Sequence, residues 1–466
     1  MPTDAPIAKT TSDKKKLFIK TWGCQMNVYD SRRMADILRP FGYEVSEVAE
    51  GADMIILNTC HIREKATDKV FSELGRLRRL KDKKEADGGS MIMAVAGCVA
   101  QAEGEYITER APYVDLVFGP QTYHELPEMI AKLTGSYGEG RIVSTELNTE
   151  EKFDSLPEEN SDQGVTAFLS VQEGCDKFCT FCVVPYTRGG EFSRNVPQIV
   201  TEAKALIASG AREITLLGQN VNAFHGTGAD GSTWTLAQII EELAKLDDLE
   251  RIRYTTSHPR DMEQSLLDAH RDIDKLMPYL HLPVQSGSNK ILKAMNRKHD
   301  RDIYFKMIED LRTARPDIAL SGDFIVGFPG ETDQDFEDTM DLVRQVKYAS
   351  AYSFKYSPRP GTPAANMSNL VREDVKAERL AALQNLINEQ QIEFNERSIG
   401  LTLPVLFDRT DKSGEKLHGR TPYNQAIHVS APARLLGHSA DVAITGAFAN
   451  SLAGDLVLSE TILKSA

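Results

Sequence analysis

The chain predicts an α/β multidomain protein: a doubly wound α/β domain, a partial (β/α)6 barrel of the TIM kind open on one side, and a small antiparallel β-barrel at the C-terminus. Three observations carry this. Short apolar runs alternate with amphipathic stretches from residue 16 to about 133; the same beat recurs six times between 164 and 356; and after residue 399 the pattern changes to short alternating runs broken by Gly and polar turns. A length of 466 residues agrees, because one hydrophobic core stops growing well before that size.

Residues 1–14 read as a polar, lysine-bearing tail with no apolar segment of the secretory kind. The first domain is expected over 15–140. Leu17 to Lys20, Met54 to Leu57, Met91 to Ala96 and Val114 to Phe118 have the apolar continuity of buried parallel strands, with helices such as Asp30 to Phe41 and Lys65 to Leu80 between them. The ligand crevice of such a domain lies beyond the carboxyl ends of its strands. Cys24, Cys60 and Cys98 each follow one of those strands closely. Residues 141–163, with Pro157 and no apolar periodicity, are expected to be an acidic linker, since Glu146 to Asp162 holds seven acids against the single base Lys152.

The barrel is expected over 164–398, with strands at Thr166 to Val171, Glu213 to Leu217, Ile252 to Thr256, Tyr279 to Val284, Ile318 to Val326 and Ala349 to Tyr356. Chemistry in such barrels sits at the C-terminal ends of the strands. The candidates there are Cys175, Gln219, Asn220, Ser257, His258, Gln285, Ser286, Asp323, Tyr356 and Ser357. A helical pattern from Arg372 to Arg397 leads into the tail, 399–466, with strands expected at Leu401 to Phe407, Ala426 to Val429, Ser439 to Ile444 and Asp455 to Leu458. Barrels of this size bind nucleic acid or serve structure alone.

Bulk properties narrow the classes. No apolar run approaches the roughly 20 residues that span a bilayer, so no membrane segment is expected and the cytoplasm is the expected location. A formal net charge of -14 argues against a nucleic-acid partner, because affinity for phosphate comes from Lys and Arg, although charge can be segregated. The basic run Arg76, Arg78, Arg79, Lys81, Lys83, Lys84 is, on base rates, a solvated helix face. Six cysteines at these spacings make no disulfide framework, and metal binding is the better starting point.

Cys175, Cys179 and Cys182 place three thiols on one short loop after a barrel strand. A structural zinc site wants a fourth protein ligand, usually from a second downstream pair, and the sequence has none. Three thiolates can instead hold three irons of a 4Fe-4S cluster and leave the fourth open. Taken singly, Cys24, Cys60 and Cys98 are ordinary small buried hydrophobes. Taken together, at equivalent ends of one sheet, they suggest a second cluster with an open iron, with zinc on three thiolates and a water as the nearest competitor.

The Cys-x3-Cys-x2-Cys spacing resembles the signature of the radical S-adenosylmethionine superfamily, and Arg188-Gly189-Gly190-Glu191 resembles its Gly-Gly-Glu element. The chain as a whole resembles the radical methylthiotransferases. The resemblance rests on Trp22-Gly23-Cys24-Gln25-Met26-Asn27, Asn58-Thr59-Cys60-His61-Ile62-Arg63-Glu64-Lys65, Ala96-Gly97-Cys98, and Val183-Val184-Pro185-Tyr186-Thr187-Arg188 after the cluster loop. It extends through Gly218 to Asn222, Thr255 to Pro259, Leu282 to Ser288 and Asp323 to Glu331. Trp22 departs from the more usual phenol or Phe and still offers a stacking surface.

The resemblance implies an N-terminal methylthiotransferase domain, a radical barrel and a C-terminal TRAM domain. It implies two 4Fe-4S clusters, one on Cys24, Cys60 and Cys98 and one on Cys175, Cys179 and Cys182, these six being the catalytic cysteines. S-adenosylmethionine is implied both as methyl donor to sulfur on the first cluster and as radical source at the second, where it is exchangeable. Phe181, Gly189, Gly190, Glu191, Gln219, Asn220, Ser257, Gln285 and Asp323 are the candidate cofactor contacts. The branch most similar adds a methylthio group to C2 of N6-dimethylallyladenosine beside the anticodon of tRNA. Sister branches act on threonylcarbamoyl-adenosine or on an aspartate of ribosomal protein S12, and a non-catalytic iron-sulfur or zinc protein that binds RNA is the reading from another class. The implied partners are that tRNA, an electron donor and a sulfur source, with a monomer expected. An unstacked base is read by stacking and hydrogen bonds. Trp22, Arg188, Lys416, Arg420, Tyr423, Phe448 and Asn450 are the candidate RNA contacts.

Overall fold

The computed structural model describes residues 14–61, 66–135, 140–147, 149–157, 163–411 and 414–457. The chain forms two compact units, one of Met1–Ser161 with Tyr186–Arg188, the other of Asp162–Pro185 with Gly189–Ala466.

The first unit is built on a parallel six-stranded sheet of β1 (Lys15–Trp22), β2 (Tyr43–Val45), β3 (Met54–Thr59), β4 (Ile92–Ala96), β5 (Leu116–Phe118) and β6 (Ile142–Ser144), in the order β2-β1-β3-β4-β5-β6. Its helices are α1 (Gln25–Leu38), α2 (Ala66–Ala86), α3 (Cys98–Glu103), α4 (Glu105–Arg110), α5 (Leu126–Thr134) and α6 (Thr149–Asp154). All six residues of β3 are buried because helices cover both faces. Ile55 and Leu57 pack with Val70, Leu74 and Leu77 of α2 on one side, and Met54 and Ile56 with Met34 and Leu38 of α1 on the other. The strand order reverses direction between β1 and β3, which makes the crevice at their carboxyl ends the topological switch point.

Two expectations for this region are corrected. Residues 142–144, placed in an acidic linker, form β6, paired with β5, and 149–154 form α6. Strand β2 was likewise not expected. Three-residue edge strands leave no readable alternation, and what holds them is backbone pairing with a neighbour. The basic run lies on α2, where Arg76 pairs with Glu73, Lys81 with Asp115 and Lys84 with Asp53. It clips the helix to its own domain.

In the second unit six parallel strands form two sets of three: β7 (Thr166–Ser170), β10 (Glu213–Leu217) and β11 (Arg251–Thr255), then β12 (Tyr279–His281), β13 (Ala319–Val326) and β14 (Ser350–Lys355). A bridge between Ile252 and Leu276 links the sets. Between β7 and β10 lie a short antiparallel pair, β8 (Gln172–Glu173) with β9 (Phe192–Ser193), and the helices α7 (Val184–Thr187) and α8 (Val196–Ala208). The outer helices are α9 (Leu236–Ala244), α10 (Gln264–Asp272), α11 (Asn289–Ala294), α12 (Arg301–Ala314) and α13 (Asp333–Val346). Thr235 and Gln238 form a reciprocal capping box on α9, as Thr332 and Asp335 do on α13. Strand β12 stops short of the expected Val284 because Pro283 has no N–H for the ladder and Gln285 turns to φ +80°.

Helix α14 (Glu373–Glu396) packs on β14 and leads into a closed barrel, β15-β16-β17-β19-β18, of β15 (Thr402–Thr410), β16 (Leu417–Arg420), β17 (Ala426–Val429), β18 (Ser439–Ala447) and β19 (Leu452–Leu456). The pairing of β17 with β19 is parallel, so the barrel is not wholly antiparallel as expected. Strand β16 was missed because Gly419 and His418 interrupt its apolar pattern; a Cβ at Gly419 would lie 2.5 Å from the Leu406 carbonyl oxygen. Two buried arginines of β11 hold this barrel. Arg251 donates to the carbonyls of Arg420 (2.7 Å) and Pro404 (2.8 Å), and Arg253 to those of Pro422 (2.9 Å) and Thr421 (3.0 Å). Among the described residues no helix is long and apolar enough to cross a membrane.

Candidate active site: two sets of three cysteines

The loop that carries Cys175, Cys179 and Cys182 leaves the barrel through the β8/β9 pair, which closes its base. The buried Gln172 side chain donates to the Gly174 carbonyl (2.8 Å) and accepts from the backbone of Gln219 (2.9 Å) and Asn220 (3.1 Å). Gln219 in turn accepts from the Gly174 N–H at 2.6 Å. Gly174 has φ +71°, and a Cβ there would lie 1.8 Å from the Gly190 carbonyl oxygen, so the Gly-Gly-Glu segment can run alongside only glycine. The Cys175 N–H donates to Gly189 O at 3.3 Å. Three expected elements, the cysteine loop, Gly189–Glu191 and the end of β10, therefore meet here.

Burial pushes the Cys175 thiol up to about 11 and the Cys182 thiol to about 12. Such sulfurs stay protonated until a cation takes the proton's place, which is what metal ligation does. Burial also raises Glu191, which faces His225 at 3.4 Å. Nearby, Asn220 Oδ1, Ser257 Oγ, His258 Nε2 and Tyr356 Oη are buried and have no hydrogen-bond partner. Burial, with the nearby Arg297, holds His258 down to about 2, so its ring is neutral. Orphaned polar atoms at several strand ends of one barrel are what a polar, partly anionic cosubstrate would satisfy. Gln285 sits in a left-handed turn bonded through its backbone to Asp323 O (3.0 Å), and the Asp323 carboxylate lies 3.5 Å from His281. Ser286 is spent on Thr339 (3.3 Å), and Phe181 packs with Ile291, Phe328 and Tyr356.

Sequence reasoning missed three supports of this loop. Lys177 pairs with Asp261 at 2.8 Å, and Asp261 also accepts from Asn220 at 2.9 Å. Asn296, at φ +60°, donates to Phe178 O (2.9 Å), and Arg297 donates to Cys179 Sγ (3.6 Å). Lys177 was legible inside the cysteine motif, whereas Asn296 and Arg297 lie in a loop with no motif of its own.

In the first unit Cys24 caps α1, Cys60 follows β3 and Cys98 opens α3. The Cys60 side chain reaches hydrogen-bond contact with both Cys24 and Cys98. That contact, helped by the Arg188 charge, lowers Cys24 to about 7 and Cys98 to about 6, while Cys60 is raised. The backbone brings them this close through glycines. A Cβ at Gly23 (φ +122°) would sit 2.2 Å from Cys60 Cβ, and one at Gly97 (φ +84°) 2.3 Å from Asn58 Oδ1. Asn58 ties β3 to α1 through Asn27 O and Ser31 Oγ, both at 2.9 Å. Among the described residues no group of three His, Cys, Asp or Glu is gathered tightly enough about one point to hold a single metal ion.

Arg188 departs from its expected place at an RNA base. It is buried, ion-paired to Asp30 at 2.6 Å and hydrogen-bonded to Asn27 and Cys98, and its guanidinium serves the first trio. Trp22 is half-buried, with the Lys20 ammonium 5.0 Å over its ring. Arg420, Tyr423 and Asn450 line a cavity of about 300 Å³ with Tyr352, Gln391 and Phe394. Tyr423 donates to Asp317 at 3.1 Å, and burial together with that carboxylate pushes its hydroxyl up to about 12. Phe448 is exposed, and Lys416 stands at the barrel surface.

Residues 16–119 match Uncharacterized protein family UPF0004, and residues 169–343 match the Radical SAM superfamily. The tRNA-2-methylthio-N(6)-dimethylallyladenosine synthase of Maricaulis maris is 61% identical over 450 residues, covering 96% of this chain and 98% of that protein. The protein of that name from Rickettsia felis is 60% identical over 445 residues, covering 95% and 100%. Among solved structures, the radical S-adenosylmethionine methyltransferase TsrM of Kitasatospora setae superposes with a TM-score of 0.55 at 12% identity, covering 76% of this chain and 74% of that one. The cobalamin-dependent radical enzyme OxsB gives 0.51 at 14% identity, covering 81% and 56%. Those two likenesses show the fold alone. With near-full-length relatives at about 60% identity and the cysteine loop on a six-stranded open barrel, this chain belongs to the tRNA-2-methylthio-N(6)-dimethylallyladenosine synthase family of radical S-adenosylmethionine proteins.

Proposed function

We propose that the chain adds a methylthio group to C2 of N6-dimethylallyladenosine next to the anticodon of tRNA. The observation that carries this reading is the pair of three-cysteine sets, each at the strand ends of its own α/β module and each made possible by glycines that admit no side chain. On this reading residues 15–140 are the methylthiotransferase domain, 164–398 the radical core and 399–466 a TRAM domain.

Superfamily membership implies a 4Fe-4S cluster and S-adenosylmethionine, which together supply a 5′-deoxyadenosyl radical when bound. Cys175, Cys179 and Cys182 are its ligands. The Gly189–Gly190 backbone and the Glu191 carboxylate receive the methionyl ammonium, and Asn220, Ser257 and His258 offer polar atoms that the protein itself leaves unpartnered. A radical suits the task, because a ring C–H is too weakly acidic for a general base to remove. We assign a second 4Fe-4S cluster to Cys24, Cys60 and Cys98, with Arg188 as its buried counter-charge. Soft sulfur is the natural exogenous ligand for an open iron there. The Arg420, Tyr423 and Asn450 cavity, with exposed Phe448 beside it, offers RNA a stacking and hydrogen-bonding surface. An electron donor, a sulfur source, a cytoplasmic location and a monomeric state complete the proposal.

The test is mass spectrometry of nucleosides after anaerobic reaction of the reconstituted protein with S-adenosylmethionine, a reductant and dimethylallylated tRNA, with ribosomal protein S12 in a parallel tube. Methylthiolated dimethylallyladenosine is expected. 5′-Deoxyadenosine without that product, or methylthiolation of S12 instead, would overturn the assignment.

A further inference from the structure

Buried arginines in this chain generally meet a carboxylate: Arg33 meets Asp36, Arg188 Asp30, Arg194 Glu202, Arg253 Glu213 and Arg379 Glu331. Arg297 does not. It is 5% exposed, and among the described residues no Asp or Glu lies within ion-pair distance of it. One arm donates to the Pro283 carbonyl, the other reaches Cys179 Sγ at 3.6 Å, and Nε has no partner. The other groups that feel its charge are Cys182, His258, His299 and Tyr304, none of them an anion in this apolar setting.

A buried cation with no counter-ion is expensive, so the anion that balances it is to be sought where it points. The backbone around it is built to keep it there. Thr180 donates through its N–H to Met295 O (3.0 Å) and through its hydroxyl to Ala294 O (2.9 Å), and Asn296 returns a bond to Phe178 O (2.9 Å). Asn296 and Lys298 flank Arg297 in left-handed conformations, at φ +60° and +59°. Left-handed residues on either side of one arginine, with Asn296 bonded to the cysteine loop, fix the guanidinium against Cys179.

We propose that Arg297 is the buried counter-cation of the group held by Cys175, Cys179 and Cys182, and that it raises the reduction potential of that group through Cys179 Sγ. This rests on the reading of those cysteines as ligands of an iron-sulfur cluster. The cluster with three thiolates gains one more negative charge on reduction, and a fixed positive charge donating to a ligand sulfur favours the reduced state. Charge is what matters here, and lysine retains it while glutamine does not.

The experiment uses the full chain carrying C24A/C60A/C98A, so that one site remains, and compares Arg297, R297K and R297Q after anaerobic reconstitution by iron content and by an EPR-monitored redox titration. Expected in R297Q is at least a tenfold lower reduced-to-oxidised ratio at a fixed potential, about 59 mV for one electron, with R297K within about threefold of the parent. Retention of iron by R297K together with its loss in R297Q supports the same conclusion. Equal reduction potentials in R297K and R297Q, or loss of iron from both, would overturn it by showing that shape and not charge is what the site needs. No iron in the parent with Arg297 intact would overturn the cluster assignment itself and this inference with it.

Discussion

Replacing Gly23 by alanine tests the first cysteine set at its tightest point. The new Cβ would lie 2.2 Å from Cys60 Cβ, whereas ordinary contact begins at 3.4 Å, so Cys60 or the turn must move by about 1 Å. Either movement is costly. Cys60 is pinned by its N–H to Trp22 O at 3.1 Å, and Gly23 stands at φ +122°, a conformation that costs a residue with a side chain about 1–3 kcal/mol. Displacement of a reacting group by about 1 Å is worth roughly a hundredfold in rate. G23A is therefore expected to fall from about eight irons per chain to about four, by the count of one cubane per three cysteines. It should lose methylthiolated product by about a hundredfold while forming 5′-deoxyadenosine within about twofold of the parent. G88A is the control, because Gly88 shares a positive φ (+83°) and a Cβ there meets nothing within 4 Å. The reasoning is refuted if G23A keeps all its iron and its product, or if G88A shows the same loss.

C179A is expected to abolish S-adenosylmethionine cleavage, whereas C60A spares cleavage and stops sulfur insertion; 5′-deoxyadenosine and methylthio-nucleoside measured in one reaction separate them, and joint loss would mean one shared site. Asp335 joins the Gln285–Ser288 turn to α13; burial opposes its charge, but Lys290, Ser288 and Thr332 together hold its carboxyl well below the usual carboxylate range. Its folded value lies below the unfolded value of about 3.9, so its stabilisation is present above about pH 4 and is lost as pH falls below that toward the depressed folded value. D335N should lower stability in urea by about 2–3 kcal/mol, with a difference that is flat from pH 8 to 5 and shrinks below pH 4; shrinkage between pH 8 and 6 would contradict the assignment. R253M removes donors from the Thr421 and Pro422 carbonyls and leaves Glu213 buried without its partner, a loss of about 3–5 kcal/mol for the docked C-terminal barrel. Limited proteolysis near residue 400 should speed up and tRNA affinity fall, while cleavage of S-adenosylmethionine without tRNA persists.

The features that could be read from the sequence are those whose physics is local. The central strands β3 and β4 carry continuous apolar runs, and the three expected strand ends carrying Cys24, Cys60 and Cys98 do meet, because parallel strands of one sheet deliver their loops to one edge. The features that could not be read depend on partners distant in sequence. Strand β6 exists through its pairing with β5, and β16 through its neighbours in the closed barrel. The same holds within the site. Asp261 and Arg297 act through contacts 84 and 118 residues away, and no spacing near them marks that. Arg188 shows the converse: its place in a motif near the cysteines suggested an RNA contact, but the partner that decides its role is Asp30, a buried carboxylate 158 residues earlier.

Complementary triple variants separate the roles proposed for the two sets of three cysteines. C24A/C60A/C98A and C175A/C179A/C182A should each retain about four irons per chain, one cubane on the intact set. The first should release 5′-deoxyadenosine without methylthiolating tRNA, and the second should do neither. Either variant with no iron, or methylthiolated product from the first, would contradict the account.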